Sequence, residues 1–469
     1  MKRNIISILA FTFILSIMTG CSNSSKEISK DSVQEETVNG DNKNKNEDTL
    51  ITIWTNNRHD EAYVRQELEN FGEANPNIDV ELTIQTDNLN SVLMLAYNSH
   101  QAPDMYNMSA ISLEAQQYYD AGLSLPLNNY ITDEFASRLE LDRATWDNIN
   151  VFDGNITYIP TAQRSGFRLI YNQEMYDAAG LTEPPKTMKD FITMSDQLTN
   201  EAEGKYGTAF PGNSSPFERF FQPVAEMSGI LPYDFAKGRY DFAKFEPIIE
   251  YGRQLFADGS VIPGATSLAI DPQRVQFAEG KIGMYGNASQ EVGVLTEQFP
   301  TQMEWHAAQL PTLDGEIKGT LFSLPKNGWS ITSTSPNPDK AWEVVEFLSS
   351  DDFLIGYGEG GYDFVFSNSI REKVDESKTG KLAEFAIQDF EGLYPPFPPV
   401  APEGDDWRTT LWNLCQPDSG DIKSALNALT EKYNLALDNE ISIGRLKRTV
   451  IEDFDIKNPM DGTVQYLDK

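Results

Sequence analysis

The chain has 469 residues, with 37 Lys and Arg against 71 Asp and Glu, three His and two Cys. Its length implies two to three domain-sized units, and 40% hydrophobic with 11% aromatic residues excludes global disorder. A formal charge of −34 argues against nucleic acid or anionic lipid as partner of the folded surface, and two cysteines can neither staple a fold nor build a Cys-rich zinc site.

Lys2 and Arg3 precede an apolar run over residues 5–18 that is too short to span a bilayer comfortably. This is the pattern of a secretory leader. It closes on Met18-Thr19-Gly20-Cys21, which resembles the lipobox of bacterial lipoproteins. That resemblance implies cleavage before Cys21 and a diacylglycerol on its sulfur. Residues 1–20 are therefore expected to be a leader. Residues 21–49, rich in Ser, Asn, Lys, Asp and Glu, are expected to be a lipidated Cys and a disordered tether. The expected location is the extracytoplasmic face of the cell membrane, reached through the lipid anchor only. With Cys21 lipidated, Cys415 stands alone in Leu411-Trp412-Asn413-Leu414-Cys415 and reads as a small core hydrophobe.

The folded body opens on Leu50-Ile51-Thr52-Ile53-Trp54, a β-branched and aromatic strand. Val64, Leu68 and Phe71 then fall on one helical face, and Ile78-Asp79-Val80-Glu81-Leu82-Thr83-Ile84 alternates as a second strand. Together they predict a right-handed βαβ unit with parallel strands. Leu89, Val92, Leu93 and Ala96 predict a helix leading to a third strand at Met105-Tyr106-Asn107. Residues 154–160 are extended up to a Pro, and Arg168-Leu169-Ile170-Tyr171-Asn172 is a further apolar strand. A short helix ends near Gly180, and Thr187 with Asp190 three residues on predicts an N-cap. Asn337-Pro338 opens another helix, lined by Ala341, Val344, Val345 and Leu348. Ile422, Ala425, Leu426, Leu429 and Tyr433 line the last one. Residues 442–469 carry a basic helical piece (Arg445, Lys447, Arg448) and a polar tail.

From about residue 50 to 440 the order of these pieces resembles the extracellular solute-binding proteins of carbohydrate-type ABC importers, the relatives of maltose-binding protein. The resemblance is carried by Ile51-Thr52-Ile53-Trp54, Gln101-Ala102-Pro103-Asp104-Met105, Tyr171-Asn172-Gln173-Glu174-Met175 and Pro184-Pro185-Lys186-Thr187. Phe277-Ala278-Glu279-Gly280-Lys281-Ile282-Gly283-Met284 and Lys340-Ala341-Trp342 continue it. It implies an α/β fold of two lobes, each a doubly wound, mostly parallel sheet, with the ligand cleft between them. Lobe 1 is expected over residues 50–160 and 326–365, lobe 2 over 161–325 and 366–440, and a C-terminal extension over 441–469. It also implies a monomer that closes around a sugar or oligosaccharide and docks on membrane permease subunits, with no enzymatic activity and no cofactor.

Open parallel sheets bind ligands outside the carboxyl ends of their strands. That rule selects Trp54, Asn56, Asn57, Arg58 and Asp60 after the first strand, Asp87 and Asn88 after the second, and Asn107 and Ser109 after the third. Amide, guanidinium and carboxylate groups match ring hydroxyls, and an aromatic plate matches the apolar face of a sugar. Asn56, Asn57 and Asp60 have an alternative role as helix caps, Trp54 as core, and Arg58 as partner of the abundant acids. By resemblance, Gln163, Arg164 and Ser165 at the first inter-lobe crossing, and Asn287 and Gln290 after the strand around Met284, belong to lobe 2's contribution. Gly328 and Trp329 at the second crossing, and Trp407 after the Pro-rich run at 395–402, are candidate stacking surfaces; Trp342 and Trp305 read as structural. Three scattered His give no metal site. A polyamine, peptide or metal complex is the alternative ligand. A secreted glycosidase is the alternative activity, although the chain has no hydrolase motif. The glycine-rich run at 356–361 follows a helix rather than a strand and reads as a flexible loop near the hinge.

Overall fold

The computed structural model describes residues 49–85, 88–108, 112–323 and 325–468. The leader, Cys21 and the tether up to residue 48 lie outside the described residues, as do Asp87 and Ser109.

The first βαβ unit forms as its pattern requires. Strand Thr49–Thr55 pairs in parallel with Ile78–Ile84, with Ile53 opposite Leu82. Helix Glu61–Ala74 crosses between them and buries Val64, Leu68 and Phe71, the three positions on its apolar stripe. Helix Leu89–Asn98 delivers strand Met105–Met108 to the other side of the first strand. The sheet is completed from far along the chain. In spatial order its six strands are Phe364–Val365, Ile159–Gln163, Pro325–Ile331, Met105–Met108, Thr49–Thr55 and Ile78–Ile84. The three latecomers run antiparallel to their neighbours, so the sheet is mixed.

A second sheet has the order Trp305–Gln309, Arg168–Asn172, Ile282–Asn287, Tyr206–Thr208. It too mixes parallel and antiparallel pairs. Each sheet has its own core. Ile51, Ile53, Phe71, Trp329, Trp342 and Leu348 belong to the first, whereas Leu169, Phe191, Phe220, Met284, Trp305 and Leu411 belong to the second. The architecture is therefore two α/β lobes. The chain leaves the six-stranded lobe after Gln163, returns after Phe322, and still packs Phe366 and Ile370 there before Leu382 enters the other core.

Local chemistry explains several boundaries. Thr187 and Asp190 form a reciprocal capping box at the start of Met188–Leu198, and Gly180 ends its helix in the left-handed conformation with φ +72°. Pro338 occupies the first turn of Pro338–Leu348, although the Asn337 side chain makes no cap bond. Cys415 is fully buried against Gly252, where an added Cβ would lie 2.6 Å from its sulfur; burial pushes the thiol pKa up.

Two expectations fail. The glycine-rich run is not a loop: Gly356 and Gly358 lie inside helix Asp351–Glu359. Their missing side chains admit the Tyr63 hydroxyl and Val374, which an added Cβ would meet at 2.4 and 2.9 Å. The basic piece near the C-terminus is not helical either. Arg448–Val450 is a strand paired antiparallel with Gln465–Leu467.

Candidate functional site

Where the lobes meet, the predicted polar residues divide between an ion-pair network and a cavity. The network begins at the end of the first strand. Arg58 forms an ion pair with Asp271 of the second lobe at 3.3 Å, and Asp271 also accepts from Arg274 Nη1 at 2.9 Å. Arg274 continues to Glu291, which accepts from the Tyr285 hydroxyl at 2.8 Å and from Asn287 Nδ2 at 2.7 Å. The Asn287 Oδ1 accepts from Arg219 Nη1 at 2.9 Å and from Gln290 Nε2 at 2.7 Å.

A second knot lies at the crossing. The buried Asp363 accepts from Arg164 Nη2 at 2.8 Å, and from Ser289 of the second lobe at 3.0 Å. His59 Nε2 lies 3.4 Å from it. Burial pushes the Asp363 carboxyl up, but the charge of Arg164 and the bonds from His59 and Arg164 outweigh burial and hold it well below the usual range. The backbone N–H of Ser165 donates to Ser289 Oγ at 3.4 Å, and Gln163 Nε2 donates to Ser323 Oγ at 3.2 Å. The lobes touch here: an added Cβ on Gly293 would lie 3.1 Å from the His59 carbonyl oxygen.

The remaining candidates scatter. Asp60 stands at the N-cap position of Glu61–Ala74 without capping it; its carboxylate accepts from the Tyr357 hydroxyl at 2.8 Å. Asn88 does cap, accepting from Ser91 N–H at 3.2 Å. Asn56 is exposed, and the Asn57 N–H donates to Thr55 Oγ1 at 3.1 Å. Asn107 is buried opposite Trp329 in the large sheet. Trp329 packs within the core of the first lobe and offers no ring face to a ligand. Gly328 is a close-approach position, since an added Cβ would lie 2.2 Å from the Ile159 carbonyl oxygen. Trp54 is half-buried and packs against the small apolar cluster that includes Tyr106, Tyr158 and Leu393. Trp342 and Trp305 are core.

The cavity has a volume of about 630 Å³, within the ordinary range of small-molecule sites. Gln116, Asn148 and Ile149 face it from the first lobe, and Phe167 and Phe322 lie at the crossings. From the second lobe come Glu218, Gln222 and Glu226, together with Trp407 and Arg408. The Pro-rich run forms another wall with Tyr394, Phe397 and Pro399. Glu218, Gln222 and Glu226 repeat every four residues across a π-helical turn at Phe217–Phe221 and helix Gln222–Met227. Wide turns of this type favour functional sites. Of the predicted residues, Trp407 is the one that lines this cavity. It is only 5% exposed, held by Phe217, Phe242 and Phe245, and the Arg408 guanidinium sits 4.3 Å over its ring.

Arg408 Nε donates to Gln222 Oε1 at 2.8 Å, Gln222 Nε2 donates to Glu226 Oε1 at 2.8 Å, and the Phe322 N–H donates to Glu226 Oε2 at 3.1 Å. Burial pushes the Glu226 carboxyl up to about 7 despite these bonds and the Arg408 charge. Sequence reasoning missed this relay. Its signal was a charged residue inside the otherwise apolar run Pro223-Val224-Ala225-Glu226-Met227, every member of which is buried. Among the described residues, no group of three or more His, Cys, Asp or Glu is placed to hold a metal ion. No described helix is long and apolar enough to cross a membrane.

Residues 55–353, more than half of the chain, match the family model of the bacterial extracellular solute-binding proteins. The chain belongs to this family. A binding protein of Brucella abortus is 24% identical over 238 residues, half of this solute-binding protein and 56% of the relative. The maltotriose-binding protein of Pyrococcus abyssi is 23% identical over 310 residues, 65% of this chain and 63% of its own. The chain thus spans less than two thirds of either relative. The Thermus thermophilus maltotriose-binding protein, solved with maltotriose bound, shares the fold with a TM-score of 0.63 at 18% identity, covering 82% of this chain and all of that one.

Proposed function

We propose that this solute-binding protein captures a sugar or short oligosaccharide in the cavity between its lobes and, tethered through a lipid on Cys21, delivers it to the permease of an ABC importer. The observation that carries this reading is the pairing of aromatic walls with a polar relay in one cavity. Phe397 and Phe322 offer partly exposed apolar faces beside an edge of the largely covered Trp407, while Gln222, Arg408 and Asn148 offer donors and acceptors for hydroxyls. Two similar proteins are maltotriose-binding proteins, which supports the same ligand class. Closure turns on the passages at residues 164–167, at Ser323 and beyond Val374, and the Arg58–Asp271 pair joins the two lobes.

A second reading, a polyamine or other cation, is favoured by one specific feature. Glu218, Glu226 and Asp406 line the cavity with a single cation, Arg408. A thermal-shift panel of maltotriose, smaller sugars, polyamines and amino acids separates the two. A ligand at one hundred times its Kd adds about 2.7 kcal/mol of stability. Stabilisation by sugars alone supports the first reading, and stabilisation by cations alone overturns it. For the anchor, Cys21→Ser is expected to release the protein from the membrane fraction.

A further inference from the structure

The C-terminal segment past residue 441 is not needed to complete either main sheet, yet it is firmly built. Its strands Arg448–Val450 and Gln465–Leu467 pair with Thr449 opposite Tyr466. The first strand is tied to the second lobe. The Ile451 N–H donates to the Phe235 carbonyl at 2.9 Å, the Tyr233 hydroxyl donates to the Thr449 carbonyl at 2.9 Å, and Arg448 Nη1 donates to the Gly238 carbonyl at 2.7 Å. The Thr320 N–H and hydroxyl donate to the carbonyls of Ile456 and Lys457 at 2.9 and 3.0 Å.

These anchors are the back of the cavity wall. Tyr233 and Phe235 line the cavity, and so does Phe397, which stacks on Tyr233 with ring centroids 5.6 Å apart. Behind them the Phe454 ring stacks on Phe235 at 4.6 Å. The second strand reaches the opposite side. The Tyr466 hydroxyl accepts from Asn148 Nδ2 at 3.0 Å, and Asn148 lines the same cavity from the first lobe. Asn148 adopts φ +60°, a conformation that Asn tolerates better than most residues, and so presents its amide at the rim.

We propose that residues 448–467 are a clasp: they brace the aromatic wall of the second lobe and fasten it to the first through Tyr466 and Asn148, so that retention of a bound ligand depends on this contact. Tyr466 is a positioning residue in this scheme. The Asn148–Tyr466 hydrogen bond joins groups on separate lobes, so an opening that parts them must break it before a ligand leaves. Its loss acts on the dissociation rate rather than on the encounter. The proposal rests on the cleft being the ligand site.

Truncating the segment would remove the fully buried Ile451 and uncover the core it packs into, and so point variants are the cleaner test. Tyr466→Phe removes only the hydroxyl. Asn148→Gly removes the amide and tolerates the positive φ. Two measurements on the full-length protein are made for each variant and for the pair. One is the radius of gyration of the ligand-free protein by small-angle scattering; the other is the dissociation rate of maltotriose by stopped flow. Tyr466→Phe is expected to enlarge the ligand-free protein and to speed dissociation by roughly two- to tenfold, the range of one net hydrogen bond. In the Asn148→Gly background it is expected to do neither. An unchanged radius for Tyr466→Phe, or the same increment in both backgrounds, overturns the clasp. If maltotriose does not bind, the choice of ligand fails, while the radius still decides the clasp.

Discussion

Arg164 and Asp363 meet as a fork on a carboxylate at the first inter-lobe crossing, Nη2 to Oδ2 at 2.8 Å and Nε to Oδ1 at 3.2 Å, with Asp363 wholly buried. Arg164 follows strand Ile159–Gln163 and Asp363 precedes its edge neighbour Phe364–Val365, so a single ion pair ties the end of one strand to the start of the next. Asp363→Asn keeps the shape and removes the charge, leaving a largely buried guanidinium uncompensated. The expected loss is about 3–5 kcal/mol, measured by urea unfolding at pH 7. The pair also has a signed pH effect. Because the folded-state pKa of Asp363 is depressed, its contribution is complete at neutral pH and is lost as pH falls below the ordinary carboxylate range. The wild-type advantage over Asp363→Asn should therefore shrink in acid.

Glu226 has the opposite sign. Its folded pKa is raised from 4.5 to about 7, so the folded state binds more protons than the unfolded one between those values. Stability contributed at this site falls as pH rises through that window and stays low above it. Glu226→Gln should gain stability relative to wild type between pH 5 and pH 8, by about 1–3 kcal/mol. Paired melting curves at the two pH values measure it; parallel curves would show that the carboxyl titrates normally.

Trp407 joins binding to packing. Its removal as Trp407→Ala opens a hole beside Phe217, Phe242 and Phe245, with an expected stability cost of about 3–5 kcal/mol. Trp407→Phe keeps most of the volume but reduces the plate under Arg408. It should remain folded and bind the panel's best sugar more weakly by isothermal calorimetry. Equal affinity would take Trp407 out of the ligand's contact surface.

Gly328 serves the sheet rather than the ligand. Gly328→Ala would bring a methyl to 2.2 Å from the Ile159 carbonyl and 2.3 Å from the Tyr158 ring. Overpacking of this kind costs about 1–3 kcal/mol. Chemical denaturation should show that loss, with ligand affinity preserved at a temperature where the variant is folded.

The parts of the fold that were legible share a local cause. Helix Glu61–Ala74 buries the three residues its period selected, and Thr187 caps through the residue expected to answer it. What was hidden depends on long-range pairing. Nothing near Pro325 announces that its strand will lie between Ile159–Gln163 and Met105–Met108. The site divided in the same way. Arg58, Arg164, Asn287 and Gln290 were recognisable as polar groups at the lobe junction, but the abundant acids Asp271, Asp363 and Glu291 shape their network, and sequence cannot rank those among 71 carboxyls. Trp407 was visible because an aromatic follows a stiff Pro-rich run. Glu226 was not, because its meaning lies in being buried.

The central position of Pro325–Ile331 in the six-stranded sheet sets an order of assembly. All four strands of the second sheet lie between residues 168 and 309, so that sheet can pair before the first one has its middle strand, although the core behind it still waits for Leu411, Leu426 and Ile451. The sheet begun first is thus finished last. Until residue 331 is available, Met105–Met108 and Ile159–Gln163 carry open edges with nothing to pair them. Refolding yield should accordingly depend on protein concentration, and early-arrested chains should associate through the first lobe's strands rather than the second's.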